Sequence, residues 1–160
     1  MSDEEFTGYA QEFAGTVYRV AFHTCKNAAD SEDVLQDVLL KLYQEKTPFE
    51  SREHVRRWLI RVAVNQSRKL LRSAWFRRSR PLEDCAALLE EAAPEESGVF
   101  QAVMNLPQKY RTPLYLYYYE GYPVREVAAL CGLKESTVQT RLQRARQALK
   151  QALTQMEEES

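Results

Sequence analysis

The sequence predicts an all-α protein of two small helical domains joined by a flexible linker, the C-terminal one a helix-turn-helix. Apolar residues recur at spacings of three and four along most of the chain, whereas strand-type alternation is almost absent. Turn signals are sparse, with five glycines and six prolines among 160 residues. A stretch over 76–96 breaks the periodicity with a basic cluster, Pro81, an acidic run and Pro94. The spacing therefore divides the chain into a domain at 1–75, a linker at 76–96 and a second domain at 97–155.

A first helix is predicted from Asp3 to Cys25, with Phe6, Tyr9, Phe13, Val17, Val20 and Ala21 on one face. A second begins near Asn27–Ser31, polar residues suited to an N-cap, and runs to about Glu45. Its apolar face is Val34, Leu35, Val38, Leu39, Leu42 and Tyr43. Pro48 biases Thr47 away from helix, so 46–51 reads as a loop. Ser51 can then cap a third helix reaching about Ala74.

At about 100° per residue, Val55, Trp58, Leu59, Val62, Ala63, Gln66 and Leu70 share the core side of that third helix. Arg57, Arg61, Arg68 and Arg72 fall within roughly a 60° arc on the opposite side, with Asn65 beside them. A solvated basic face is one reading. Yet four arginines in line repel one another unless an anion answers them, and guanidinium groups bond phosphate bidentately. A polyanion is the natural candidate.

In the linker a short helix is expected around 82–91. Beyond it, Val99–Leu106 and then Pro107 open the second domain, and a helix carrying Tyr110, Leu114, Leu116 and Tyr117–Tyr119 stops at Gly121. Neighbouring tyrosines invite a base-stacking platform, but helical spacing spreads the rings, so most should pack inward. Val124–Leu130 reads as a short helix, Cys131-Gly132-Leu133-Lys134 as a tight turn, and Glu135 to about Leu153 as a longer helix. This is the helix-turn-helix pattern. Val138, Leu142, Ala145, Leu149 and Leu153 form its inward stripe, leaving Ser136, Gln139, Thr140, Gln143 and Arg144 outward to meet base edges or phosphates. Ser136 with Gln139 offers an alternative capping box that would shift the helix start.

The formal net charge of −1 argues at face value against a nucleic-acid binder. The distribution of charge points the other way. Residues 52–80 carry 10 basic side chains and one acidic, and residues 101–156 carry 8 basic and 3 acidic. Acidic segments at 1–51, 81–100 and 157–159 balance them. With a Debye length of about 8 Å at physiological salt, such blocks act locally. They suggest two anion-binding surfaces; an internal surface on which acidic and basic segments dock is the alternative.

Other classes find little support. Cys25, Cys85 and Cys131 are far apart, and with only His23 and His54 they form no CxxC pair and no zinc set. Free thiols in a reducing cytosol are expected, with Cys25 and Cys131 as small core residues. No metal or other cofactor is called for, and no nucleophile–base pair or Gly-rich phosphate loop marks an enzyme. The acidic start Met1-Ser2-Asp3-Glu4-Glu5 lacks a secretion-signal pattern, and no apolar run is long enough for a bilayer. A cytoplasmic protein with no direct membrane insertion is expected.

Four stretches in order resemble the bacterial extracytoplasmic-function (ECF) type of RNA polymerase sigma factor, over about residues 10–154. Ala29–Tyr43 resembles the family's core-polymerase-binding helix. Trp58–Asn65 followed by Arg72 resembles its −10-element helix, and Leu106–Arg111 the opening of its C-terminal domain. Glu126–Ala128 through Thr137–Arg146 resembles its −35-reading helix-turn-helix. The resemblance implies a promoter-specificity subunit without catalysis of its own. Asp33, Gln36, Asp37 and Leu40 would face the β′ clamp helices of core RNA polymerase. Arg57, Arg61, Asn65, Arg68 and Arg72, with the 46–52 loop, would hold the −10 element and an unstacked base. Lys134, Ser136, Thr137, Gln139, Thr140, Gln143 and Arg144 would read −35 promoter DNA while the domain sits on the β flap. The acidic linker would thread toward the RNA-exit path, and an anti-sigma factor would hold the protein inactive. Lys69 departs from the acid common at its position, and Lys134 from the usual Ser or Thr cap. A stand-alone helix-turn-helix regulator is the alternative; it would usually dimerise, and no heptad seam is present.

Overall fold

The computed structural model describes residues 1–76 and 98–159; the helix expected at 82–91, Cys85 and nearly all of the linker lie outside the described residues. Among them the chain forms seven helices: α1 (Asp3–Cys25), α2 (Ala28–Gln44), α3 (Arg52–Phe76), α4 (Gly98–Met104), α5 (Gln108–Tyr118), α6 (Val124–Cys131) and α7 (Glu135–Glu159).

Local chemistry fixes most of the ends. Ser2 caps α1 through its Oγ, 3.1 Å from the Glu5 amide, with Asp3, Glu4 and Glu5 in the first turn beside the positive end of the dipole. Asn27 caps α2, its Oδ1 2.9 Å from the Asp30 amide. Ser51 caps α3 as its pattern predicts, accepting from the His54 amide at 3.1 Å. The last helix begins at Glu135, with the Lys134 carbonyl accepting from Val138 at 3.1 Å. The alternative start at Ser136 is not used: that residue lies in the first turn and its carbonyl accepts from Thr140 Oγ1. The helix also runs about a turn and a half past the expected end at Leu153, and Pro107 stands at the N-cap of α5 rather than in its first turn.

Helices α1, α2 and α3 pack mutually and bury Val17, Val20, Val34, Val38, Leu42 and Leu59. Helices α4–α7 bury Leu114, Leu116, Val127, Val138, Leu142 and Ala145 in a second layer. The two groups also meet, α1 against α5 and α3 against α6, so one contiguous apolar cluster runs through both.

The buried face of α3 is not quite the one the spacing suggests. Ile60, Val64 and Ser67 are fully buried, while Trp58 and Val62 are only partly covered. The covered arc is rotated toward the arginine side because the C-terminal group packs there. Tyr43, expected in the apolar face of α2, is 56% exposed and meets the Phe6 ring edge-on at 5.2 Å. The tyrosine run divides as well: Tyr115 is buried, Tyr117 half-buried, and Tyr118 and Tyr119 are exposed. Cys131 is buried and Cys25 half-buried, and burial pushes both thiols up to about 11.

The contact of α1 with α5 centres on a buried arginine. Arg111 donates from Nε to the His23 carbonyl (2.8 Å), from Nη2 to the Thr24 carbonyl (3.1 Å) and from Nη1 to the Leu106 carbonyl (2.6 Å). Its charge thus sits on the last carbonyls of α1, at the negative end of that helix. Beside it Thr24 and Thr112 share a buried hydroxyl–hydroxyl bond at 2.8 Å. Replacing Arg111 by Ala leaves buried carbonyls without donors, and is expected to cost about 2–3 kcal/mol of unfolding free energy in urea titrations.

His23 closes the same corner. Its Nδ1 donates to the Arg19 carbonyl at 2.8 Å and its ring lies 4.2 Å from that of Tyr115. Burial lowers its pKa from 6.5 to about 4, with the charges of Arg111 and Arg19 adding to it against the hydrogen bond to the Arg19 carbonyl and the weaker pull of Glu120. The folded state therefore holds this imidazole neutral, and the unfolded chain takes up the proton first as pH falls. Its contribution is complete above about pH 6.5 and is lost as pH drops toward 4, by up to about 3 kcal/mol. Urea midpoints measured between pH 7 and 4 should fall over this window, and His23→Gln should flatten that slope.

Candidate nucleic-acid and polymerase interfaces

Three surfaces carry the side chains singled out by the sequence. On α2, Asp33, Gln36, Asp37 and Leu40 are all exposed and lie at spacings that put them on one face. Leu40 is 56% exposed, an apolar side chain left in water among carboxylates. Tyr43, one heptad beyond Gln36, extends the same exposed face. Sequence reasoning placed it inward because its aromatic ring completes the apolar stripe, although the seven-residue step from Gln36 pointed outward.

On α3, Arg61, Asn65 and Arg72 are exposed. Arg57 and Arg68 are not free. Arg57 Nη2 lies 2.8 Å from Glu126 Oε1, and Arg68 Nη1 donates to the Cys131 carbonyl at 2.5 Å. Arg56, which the periodicity did not single out, reaches Glu120 Oε2 at 2.5 Å and the Glu120 carbonyl at 3.2 Å. Burial opposes the charge on Arg56, but the bond to Glu120 and the field of nearby Tyr122, Glu120 and Glu53 outweigh it and raise its pKa. The 46–52 loop folds back on the same helix: Phe49 meets the rings of His54 and Trp58 edge-on, and the Glu50 amide donates to His54 Nδ1. Lys69 is exposed.

On the C-terminal group, Gly132 takes φ +66° and ψ +36°, so the chain reverses between α6 and α7 with Leu133 donating to the Ala128 carbonyl at 2.9 Å. A Cβ here would have space but the wrong backbone region. The reversal sets α7 across α6 with Ala128, Val138 and Leu142 buried between them. Lys134, Ser136, Gln139, Thr140, Gln143 and Arg144 are exposed, and Thr137 is half-buried. Ser136, Thr137, Thr140 and Arg144 line an open depression of about 320 Å³ with Lys109, Tyr110 and Arg141. Sequence reasoning left out Lys109 and Tyr110, which arrive from α5; only the three-dimensional crossing brings them to α7.

Hydrogen-bond donors and acceptors on one face of a helix, held by an αL turn against a shorter helix, suit the major groove. Among the described residues no group of His, Cys, Asp and Glu could hold a metal ion, and no helix is long and apolar enough to cross a membrane.

Residues 10–77 match the family description Sigma-70 region 2, and residues 99–149 match Sigma-70, region 4. The ECF RNA polymerase sigma factor SigM of Mycobacterium tuberculosis is 31% identical over 139 residues, covering 86% of this chain and 71% of SigM. SigL of the same organism is 29% identical over 153 residues, covering 91% and 86%. Among solved structures, the sigma factor RpoE bound to the anti-sigma factor NepR, from Bartonella quintana, is similar with a TM-score of 0.68. At 21% identity over 94% of this chain and 98% of that one, the likeness is one of fold.

Proposed function

The chain belongs to the ECF-type RNA polymerase sigma factors of the sigma-70 family, and on that premise we propose how its surfaces divide the work. Residues 1–75 dock on core RNA polymerase and hold the −10 element, residues 97–155 read the −35 element, and residues 76–96 join them. The polymerase carries out the chemistry; this chain supplies the address. An anti-sigma factor controls it, a reading supported by the fold shared with RpoE, which was solved with NepR.

The observation that carries the division is the separation of three chemically distinct faces. The α2 face mixes carboxylates with exposed Leu40 and Tyr43, which suits a protein surface with basic and apolar contacts and would repel DNA. The α3 face presents arginine and Asn65, suited to phosphates and an unpaired base. The α7 face presents Gln139, Thr140, Gln143 and Arg144, suited to base edges. A stand-alone regulator would have no use for the first of these.

Pull-down of core polymerase by the full chain is the direct test, and failure to retain core would refute the proposal. Arg61→Ala with Asn65→Ala is expected to impair promoter opening, read by permanganate footprinting, while core retention stays at the wild-type level. Equal loss of both would mark a folding defect instead. Gln139→Ala and Arg144→Ala should each weaken promoter-specific initiation by about tenfold, the worth of one base or phosphate contact of 1–3 kcal/mol. Initiation from −35 variants scores whether the loss is sequence-specific.

A further inference from the structure

We propose that the cleft between α1, α4, α5 and α7 is a binding site for a small anionic amphiphile, a carboxylate on an unbranched apolar tail. It shares no residue with the three faces assigned to polymerase and promoter.

The cleft holds about 950 Å³, within the range of roughly 300–1,000 Å³ that small-molecule sites span. Aromatic rings form one wall: Tyr18 stacks on Phe22 with centroids 6.2 Å apart, and Phe22 on Phe100 at 6.5 Å. Val103 of α4 and Leu114 of α5 extend the apolar lining. On α7, Arg146, Leu149, Lys150 and Leu153 stand at i, i+3, i+4 and i+7, so one face brings both leucines and both cations to the cleft. Val99, Tyr118 and Tyr119 are large apolar side chains left in water, and all three line it.

Its charge is of one sign. Among the described residues Arg19, Arg146 and Lys150 line the cleft, and no Asp or Glu does. Arg19 is partly answered by Glu120, 3.9 Å away and outside the lining. Among the described residues no ion pair holds Arg146 or Lys150. These two stand one turn apart on α7 and repel each other unless an anion answers both. Arg146 Nη1 donates to Tyr118 Oη at 2.9 Å, which leaves the phenol its own hydrogen to donate and the guanidinium its other N–H groups. A hydroxyl, a guanidinium and an ammonium beside an apolar trough suit one carboxylate head with an apolar tail. DNA would gain nothing from the leucines and rings, and an uncharged hydrocarbon nothing from the cations.

The test uses the full chain with 1-anilinonaphthalene-8-sulfonate, an apolar anion that fluoresces in apolar sites, displaced by laurate or by dodecyltrimethylammonium below their micelle concentrations. Laurate should displace the probe at roughly tenfold lower concentration than the cation of matched tail. Arg146→Gln/Lys150→Gln, both at exposed positions, should weaken laurate by roughly tenfold and erase the preference between heads. Val99→Trp fills the cleft and should lower binding of probe and laurate together. Leu40→Gln, at an exposed apolar side chain on α2, should leave both at wild-type values. Circular dichroism on every variant checks the fold, and laurate should raise the thermal midpoint of the wild-type chain. Equal displacement by the two heads, or wild-type laurate binding in both folded cleft variants, overturns the proposal. So does a fall in the midpoint, which marks detergent-like unfolding. An acidic amphipathic peptide that displaces the probe where laurate does not assigns the cleft to a protein partner and overturns the small-ligand assignment.

Discussion

The arrangement depends first on one guanidinium. Arg111 belongs to α5, yet two of its three carbonyl acceptors, His23 and Thr24, are the end of α1. The third, Leu106, is in its own group. A helix C-terminus leaves up to four carbonyls without partners, and burying such an end against a second layer would leave them unsatisfied. Arg111 resolves this by placing a positive charge on the negative end of the helix dipole. The cost is desolvation, which lowers its pKa while leaving it a cation at any ordinary pH. Lys26 in the left-handed region ends α1 at this point, with its amide 2.7 Å from the Phe22 carbonyl, so the chain turns away and leaves the last carbonyls to Arg111. Thr24, Thr112, His23 and Tyr115 then fill the space around a fixed polar anchor.

From that anchor the interface spreads to Glu120, where electrostatics and packing are hard to separate. A carboxylate only 6% exposed is costly unless well supplied with donors. It receives the Tyr115 hydroxyl and the Arg56 guanidinium, with Arg19 3.9 Å away. Burial and the neighbouring carboxylate hold the Tyr115 hydroxyl protonated well beyond the usual phenol range, so it remains a donor. Arg19 itself donates to Tyr115 at 2.9 Å and lies over the Tyr119 ring. Helices α1, α3 and α5 thus meet at one acid. Removing any member leaves the others partly unpaired, which is why such networks behave as units rather than as sums.

The helices and their ends were largely legible in the sequence. Asn27, Ser51 and Gly132 act through local chemistry, and local chemistry is what a linear pattern records. The family, too, could be read from four short stretches. The rotated buried face of α3 could not. Ile60 and Val64 lie between the expected core stripe and the arginine stripe, and an amphipathic helix covered from one side would leave them at its margin. They are buried because a second body covers that margin, a fact of tertiary structure with no periodic signature. The same holds for Lys109 and Tyr110 beside α7, and for Arg56, which looked like one more member of a basic run. Tyr43 went astray for the opposite reason: ring size suggested burial, where its helical phase pointed to an exposed face.

Dividing the net charge into blocks identified the basic surfaces but treated each block as facing solvent. In three dimensions part of the basic block over α3 is answered by Glu120 and Glu126 of the next basic block, so internal docking, one of the two readings of the charge pattern, holds for Arg56 and Arg57. A guanidinium already bonded to a carboxylate of its own chain has that donor engaged, and the carboxylate competes with any outside anion at an effective concentration on the order of millimolar. A count of basic residues along the sequence therefore overstates the charge that α3 offers to solvent, by the pairs that only the folded chain brings together.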